Sequence, residues 1–369
     1  MSVPFFGIDR FYKNHSGKIL NVLNTVYTKG RLMMGPEIET FEKRISQFCN
    51  RKYGVAVGSC TDALFFALKA SGIQANDEVF VTSFSFHASG TAILRASAIP
   101  VFVDIDPNTL MMDLNDLRKK ITAKSKAIIA VHLFGEMMDV DELEKTASKY
   151  NLIVIEDAAQ TLGSEWNGKK AGSIGTCSCI SFDPTKIIGA FGNGGILLTD
   201  NSEICNTVSA LRNHGNHLAS GNLEKLGYNS KMSEAQAALI VYQLNLLPKL
   251  ISKREKIALL YNENLKDIDQ ISNLQHCDHG ISNFHKYVIK VERRDVLQTH
   301  LKERGIQTKI HYPYLIPELK IFRLTDNKIA SFTYAQKAKS EVLSLPIYPE
   351  LTQNEVMEVC KAIKEFFKN

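Results

Sequence analysis

Leu152-Ile153-Val154-Ile155-Glu156-Asp157-Ala158-Ala159-Gln160 runs from an apolar stretch into two acids. A short β-branched run of this kind is a buried strand. An acid at its carboxyl end is costly to bury unless something pairs with it. For Asp157 the partner is a helix cap, a structural cation or a protonated ring nitrogen. Working back toward the N-terminus, the same type of run recurs. Tyr53–Val57, Glu78–Thr82, Val101–Asp104 and Ala127–His132 read as strands. Asp62–Ser71, His87–Ser97, Leu114–Lys120 and Asp141–Tyr150 read as the helices between and after them. Strands alternating with helices of about ten residues make an α/β fold with a mostly parallel, doubly wound sheet. Its ligand belongs at the carboxyl ends of the strands.

Working forward, Ser178–Phe182 is one more apolar strand, followed by Asp183-Pro184-Thr185-Lys186. A lysine held among apolar residues loses its proton easily and can form a Schiff base. Gly189, Gly192, Gly194 and Gly195 follow, without the strand, helix and ribose acid of a dinucleotide fingerprint. Gly58-Ser59-Cys60-Thr61-Asp62 joins the first strand to its helix. Small residues there expose backbone N–H groups at a helix N-terminus, which suits a phosphate and equally suits a plain N-cap. Phe86 follows the second strand. Anion cup, aromatic, buried acid and lysine thus lie at successive strand ends. Pyridoxal phosphate needs those four parts.

The pattern changes after Asn229. Met232–Leu247 reads as a long helix stopped at Pro248, and Leu250–Leu265 as a second. Lys286–Val291 and Gln307–His311 read as strands, Val296–Arg304 and Asn354–Phe367 as helices. Residues 1–249 are expected to form an N-terminal arm and a large cofactor domain, with the arm leading into the helix Pro36–Cys49. Residues 250–369 are expected to form a small α/β domain.

The 369 residues are 44% hydrophobic and 22% charged, an ordinary globular balance with room for two domains. The 44 basic against 39 acidic residues leave +5, spread along the chain, so no nucleic-acid stripe is expected. No window is apolar enough for a membrane span, and residues 1–12 lack a signal-peptide core, which points to the cytoplasm. The seven cysteines, Cys49, Cys60, Cys177, Cys179, Cys205, Cys277 and Cys360, have no metal-ligand spacing and read as reduced thiols.

These motifs resemble those of the DegT/DnrJ/EryC1/StrS nucleotide-sugar aminotransferases, nearly end to end. The resemblance rests on Pro4-Phe5-Phe6, Gly58–Leu64, Phe102–Asp106, Glu156–Gln160, Ser181–Asp200, Leu211–Gly215, Gly227–Asn229, Gln236–Leu239 and His311-Tyr312-Pro313. It implies a fold-type-I pyridoxal-phosphate transferase with a mostly parallel seven-stranded sheet. It also implies roles. Lys186 is the Schiff-base lysine and proton shuttle, and Asp157 the partner of the ring nitrogen. Gln160 lies near the ring hydroxyl and Phe86 stacks on the ring. Ser59, Cys60, Thr61 and Ser181 hold the phosphate. Asn229 reaches the phosphate of the neighbouring subunit, which implies a homodimer with shared sites. Arg212, His311 and Tyr312 are the candidate substrate contacts. The implied substrates are L-glutamate and a dTDP- or UDP-linked keto sugar, with no metal.

The sequence departs from the family pattern where Leu162 replaces a usual His. Cys60, Asn193 and Lys231 replace Gly or Ala, an acid and Arg. Gly227-Tyr228-Asn229, Met232 and Gln243-Leu244 resemble the subgroup that aminates C4, with C3 amination as the alternative. A related sugar dehydratase would carry His in place of Lys186. A non-catalytic regulatory relative would not need Lys186, Asp157 and Gln160 together.

Overall fold

The computed structural model describes residues 2–216, 226–274, 280–323 and 332–368. Seven strands form the central sheet, in the order Tyr53–Val57, Gly195–Thr199, Cys177–Ser181, Ile153–Asp157, Ser125–Val131, Glu78–Thr82 and Ile99–Val103. The last five run parallel; Gly195–Thr199 is antiparallel to both of its neighbours. Each inner strand is almost wholly apolar because helices cover both faces. Ile128, Ile129, Ile155, Ile180 and Leu197 are fully buried. Crossover connections return every parallel strand in the same direction, so their carboxyl ends share one edge. That edge carries Ser59, Phe86, Asp157 and Ser181.

A second cluster of buried side chains gathers around the antiparallel strands Ser272–Asn273, Tyr287–Lys290 and Val342–Leu345. The helices Leu247–Leu265, Arg294–Glu303 and Gln353–Lys368 pack on it through Tyr261, Leu297, Leu301, Val359 and Ile363. Val3 belongs to this cluster, tied by Val3 N–H to the Gly305 carbonyl at 3.0 Å. The chain therefore starts on the small sheet and crosses to the large one.

Three expected elements differ. The arm holds a 22-residue helix, Ile8–Lys29, closed by Gly30 at φ 70°. Pro248 does not stop a helix. One helix ends at Leu244 and the next, Leu247–Leu265, carries Pro248 in its first turn, where a missing N–H costs nothing. Gln307–His311 is no strand, since only Lys309 bridges to Ser344.

Candidate active site

Period-two geometry separates the two acids of the opening stretch. Glu156 is fully buried and accepts from the Gly172 and Ile174 N–H groups and the Ser178 hydroxyl at 2.7–2.9 Å. It pins the loop before strand Cys177–Ser181. Asp157 faces the opposite way, into a cavity of about 580 Å3 at the strand ends. Its Oδ2 accepts from the Ser89 hydroxyl at 2.7 Å, and its Oδ1 from the Ala159 N–H at 3.2 Å. Burial pushes the Asp157 carboxyl up; the Ser89 and Ala159 donors and the Lys186 charge oppose this. A buried carboxylate with a free face is poised for a cationic partner.

Lys186 lines the same cavity. Its N–H donates to the Asp183 carbonyl at 2.9 Å, in a turn that Asp183 closes by accepting from the Thr185 N–H. No hydrogen bond or ion pair engages its Nζ among the described residues. Burial pushes its ammonium down, and Cys60, Asp157 and Asp183 pull it back. The loop is held from behind by Gln243, whose amide clasps Gly189 N–H and C=O at 3.2 and 2.7 Å.

Ser59 caps the helix Cys60–Ala70, its Oγ accepting from the Asp62 N–H at 3.1 Å. Gly195 lies so close beneath that a Cβ would stand 2.5 Å from the Cys60 nitrogen. Ser59, Cys60, Thr61 and Ser181 all face the cavity. Gln160 is fixed at both ends of its amide: it accepts from the Phe134 N–H at 2.9 Å and donates to the Tyr312 hydroxyl at 2.9 Å. Phe86 keeps 47% of its surface exposed at the cavity wall. His311 Nδ1 lies 2.8 Å from Ser344 Oγ, and burial beside Lys286 and Lys309 pushes its imidazole down to about 3, so it is neutral.

An anion cup at a helix N-terminus, an aromatic wall, a buried acid with one open face and an unpaired lysine now surround one cavity. Chain matches agree: the model of the DegT/DnrJ/EryC1/StrS aminotransferase family covers residues 14–364. The chain belongs to this family. It is 36% identical over 99% of both chains to the dTDP-3-amino-3,6-dideoxy-alpha-D-galactopyranose transaminase of Aneurinibacillus thermoaerophilus. It is also 36% identical, over the full length of both, to the pleiotropic regulatory protein of Geobacillus stearothermophilus. Among solved structures, Streptomyces venezuelae DesV, crystallised with a ketimine intermediate, matches with a TM-score of 0.96 at 32% identity. That match covers 100% of this chain and 99% of the other. As a family member the protein is a sugar transaminase that depends on pyridoxal phosphate, and the cavity fits that cofactor. The cup offers N–H and hydroxyl donors for a phosphate, Asp157 a carboxylate for a ring nitrogen, and Lys186 an unengaged amine.

Arg212 is not brought to this cavity, and Asn229, expected at a neighbour's phosphate, also lies outside it. Arg212 is buried elsewhere, paired with Glu42 and donating to the Ala56 carbonyl at 2.7 Å. It locks the helix Pro36–Phe48 to the first strand and cannot reach a substrate in this cavity. Asn229 is exposed outside the cavity and bridges to Asn213. Leu162, at the usual His position, is buried in the core. Ser89, Lys286 and Lys309 line the cavity without having been expected there. The six described cysteines are free, and Cys277 lies outside the described residues. No described helix is long and apolar enough to cross a membrane.

Proposed function

We propose that the protein, as a homodimer, transfers the amino group of L-glutamate to C3 of a dTDP- or UDP-linked keto-deoxysugar. The observation that carries the transfer chemistry is the meeting of Lys186, Asp157 and the Ser59–Thr61 cup in one cavity. The cavity's volume is that of a small-molecule site. The preference for C3 over the C4 expected from sequence has one support. The Aneurinibacillus relative bears position 3 in its name. Met232 and Gln243, which suggested C4, serve the fold: Met232 packs beneath Gly194 and Gln243 clasps Gly189. The free thiols suit the reducing cytoplasm.

The bound cofactor supplies an electron sink. The chain does the rest. Ser59, Thr61 and Ser181 would hold the phosphate with the backbone donors of the cup. Asp157, oriented by Ser89, would keep the ring nitrogen protonated. Gln160 and Phe86 would supply a polar contact and an apolar wall to the ring. Lys186 Nζ removes the proton from the donor's α-carbon and delivers it onward, a role its lowered basicity suits.

The test is a panel of dTDP-, UDP- and GDP-linked keto sugars with L-glutamate, reading 2-oxoglutarate release and the amine position by NMR. Amination at C3 is expected, and abolished in Lys186→Ala. Amination at C4 overturns the position. Cofactor binding without turnover on any sugar would favour a regulatory role, as the name of the Geobacillus relative suggests.

A further inference from the structure

We propose that Lys286 and Lys309 form the seat for the carboxylate of the amino donor, an inference that rests on the transaminase reading above. Both lysines line the cavity that holds Lys186. Both ammonium groups lie over the same aromatic pair: Lys286 Nζ is 5.1 Å from the Phe6 ring centre and 5.6 Å from that of Phe5, Lys309 Nζ 4.4 and 5.5 Å. Among the described residues neither makes an ion pair. Their backbones are tied down. Lys286 N–H donates to the Phe134 carbonyl at 3.0 Å, and Lys309 exchanges two hydrogen bonds with Ser344 at 3.2 and 2.8 Å. Beside them His285, 3% exposed, leaves its Nδ1 without a partner.

Two lysines that share a partly dry cavity carry their charges at a cost unless an anion joins them. Burial, then the charges of Arg254, Lys186 and Lys309, push the Lys286 ammonium well down, with Asp183 opposing. Asp157, bonded to Ser89, and Asp183, bonded to Thr185, make no ion pair with either lysine among the described residues. The missing anion is therefore a ligand.

The cofactor phosphate is not that anion, because the cup has its own donors at Ser59–Thr61 and Ser181. Lys286 is tied to Phe134, whose N–H meets Gln160, and Lys309 to Ser344, whose hydroxyl meets His311. The pair thus belongs to the Gln160 and His311 wall of the cavity and not to the cup helix. The carbon that Lys186 deprotonates is bonded directly to the donor's carboxylate. The diphosphate of a nucleotide sugar is separated from the reacting carbon by the sugar ring. A seat within electrostatic reach of Lys186 suits the carboxylate.

The experiment uses the pyridoxal-phosphate holoenzyme and its Lys286→Met and Lys309→Met variants, with Lys→Arg at each position as the charge-retaining control. Glutarate, a dicarboxylate without an amine, is titrated calorimetrically. The glutamate concentration dependence of the first half-reaction is followed by stopped-flow absorbance, and that of the second half-reaction with the keto sugar is read separately. The Met variants are expected to weaken glutarate and glutamate binding at least tenfold, and far more than they weaken the nucleotide sugar. The Arg variants should recover most of the loss. A tenfold loss confined to the nucleotide sugar assigns the pair to the diphosphate and overturns the proposal, as does unchanged glutamate affinity. A wild-type first half-reaction with glutamate, followed by no transfer of the amine to any keto sugar of the panel, would sink the sugar-transfer reading and leave this one standing.

Discussion

At the scale of single residues, Asp157 shows how burial and chemistry are linked. Its carboxyl is raised by burial and held back by Ser89 and the Ala159 N–H. An amide in its place could still accept from Ser89 but could not hold a proton on a ring nitrogen by charge. Asp157→Asn is therefore expected to slow the glutamate half-reaction by about 100-fold, roughly 2.7 kcal/mol, while Lys186 and the cup still retain the cofactor. Stopped-flow single turnovers check this; a rate within threefold of wild type would remove Asp157 from the role. This residue was legible in the sequence because a strand end fixes its place and alternation fixes its face. Lys186 and Ser59 were legible because each follows closely on a strand end, in a turn and at a helix cap. Arg212 was misplaced, since a motif at the end of a helix says nothing of the Glu42 that pairs with it. Lys286 and Lys309 escaped notice because they come from the distant end of the chain. Only the fold brings them beside Lys186, and a lone lysine before an apolar run is no signal.

At the scale of elements, the parallel strands were read within about two residues, because each is a short apolar run bounded by turns. The arm helix Ile8–Lys29 was not. It is largely polar and buries only Ile19 and Val26, so packing against other elements, not local pattern, holds it in place. One clasp is Arg10, whose guanidinium donates twice to Glu355 at 2.6 and 2.8 Å and joins the arm to the last helix. That pair, with Thr352, lowers the Glu355 carboxyl from its ordinary 4.5 to about 2. A depressed carboxyl contributes stability that is complete above the unfolded value and is lost as pH falls from about 4.5 toward 2. Arg10→Met should cost about 2 kcal/mol at neutral pH, the scale of hydrogen bonds to a charged group. Its deficit should shrink as the pH falls through that window. Urea melts at fixed protein concentration test both; a deficit independent of pH would mean that the arm is held by packing and not by this ion pair.

At the scale of the whole molecule, one chain leaves apolar surface without a cover. On the arm helix Leu20 is 55% and Tyr27 59% exposed, and Leu32, Met33 and Phe191 are exposed with them. Asn229 stands outside the cavity of its own chain. A two-fold dimer would cover the first and give the second a purpose, since a closed symmetric pair makes two identical shared sites. Sedimentation should report a dimer, which Tyr27→Asp weakens. The sharper test is complementation. Lys186→Ala chains lack the amine, and Asn229→Ala chains would lack the donor proposed to reach the neighbour's phosphate. A mixed dimer holds one site built from Lys186 of one chain and Asn229 of the other, and a second site lacking both. After subunit exchange, activity in the mixture should exceed the summed activity of the two parents. Exchange proven by tagged pull-down without that gain would show that Asn229 serves its own chain, where its bridge to Asn213 orders the approach to the helix Glu234–Leu244.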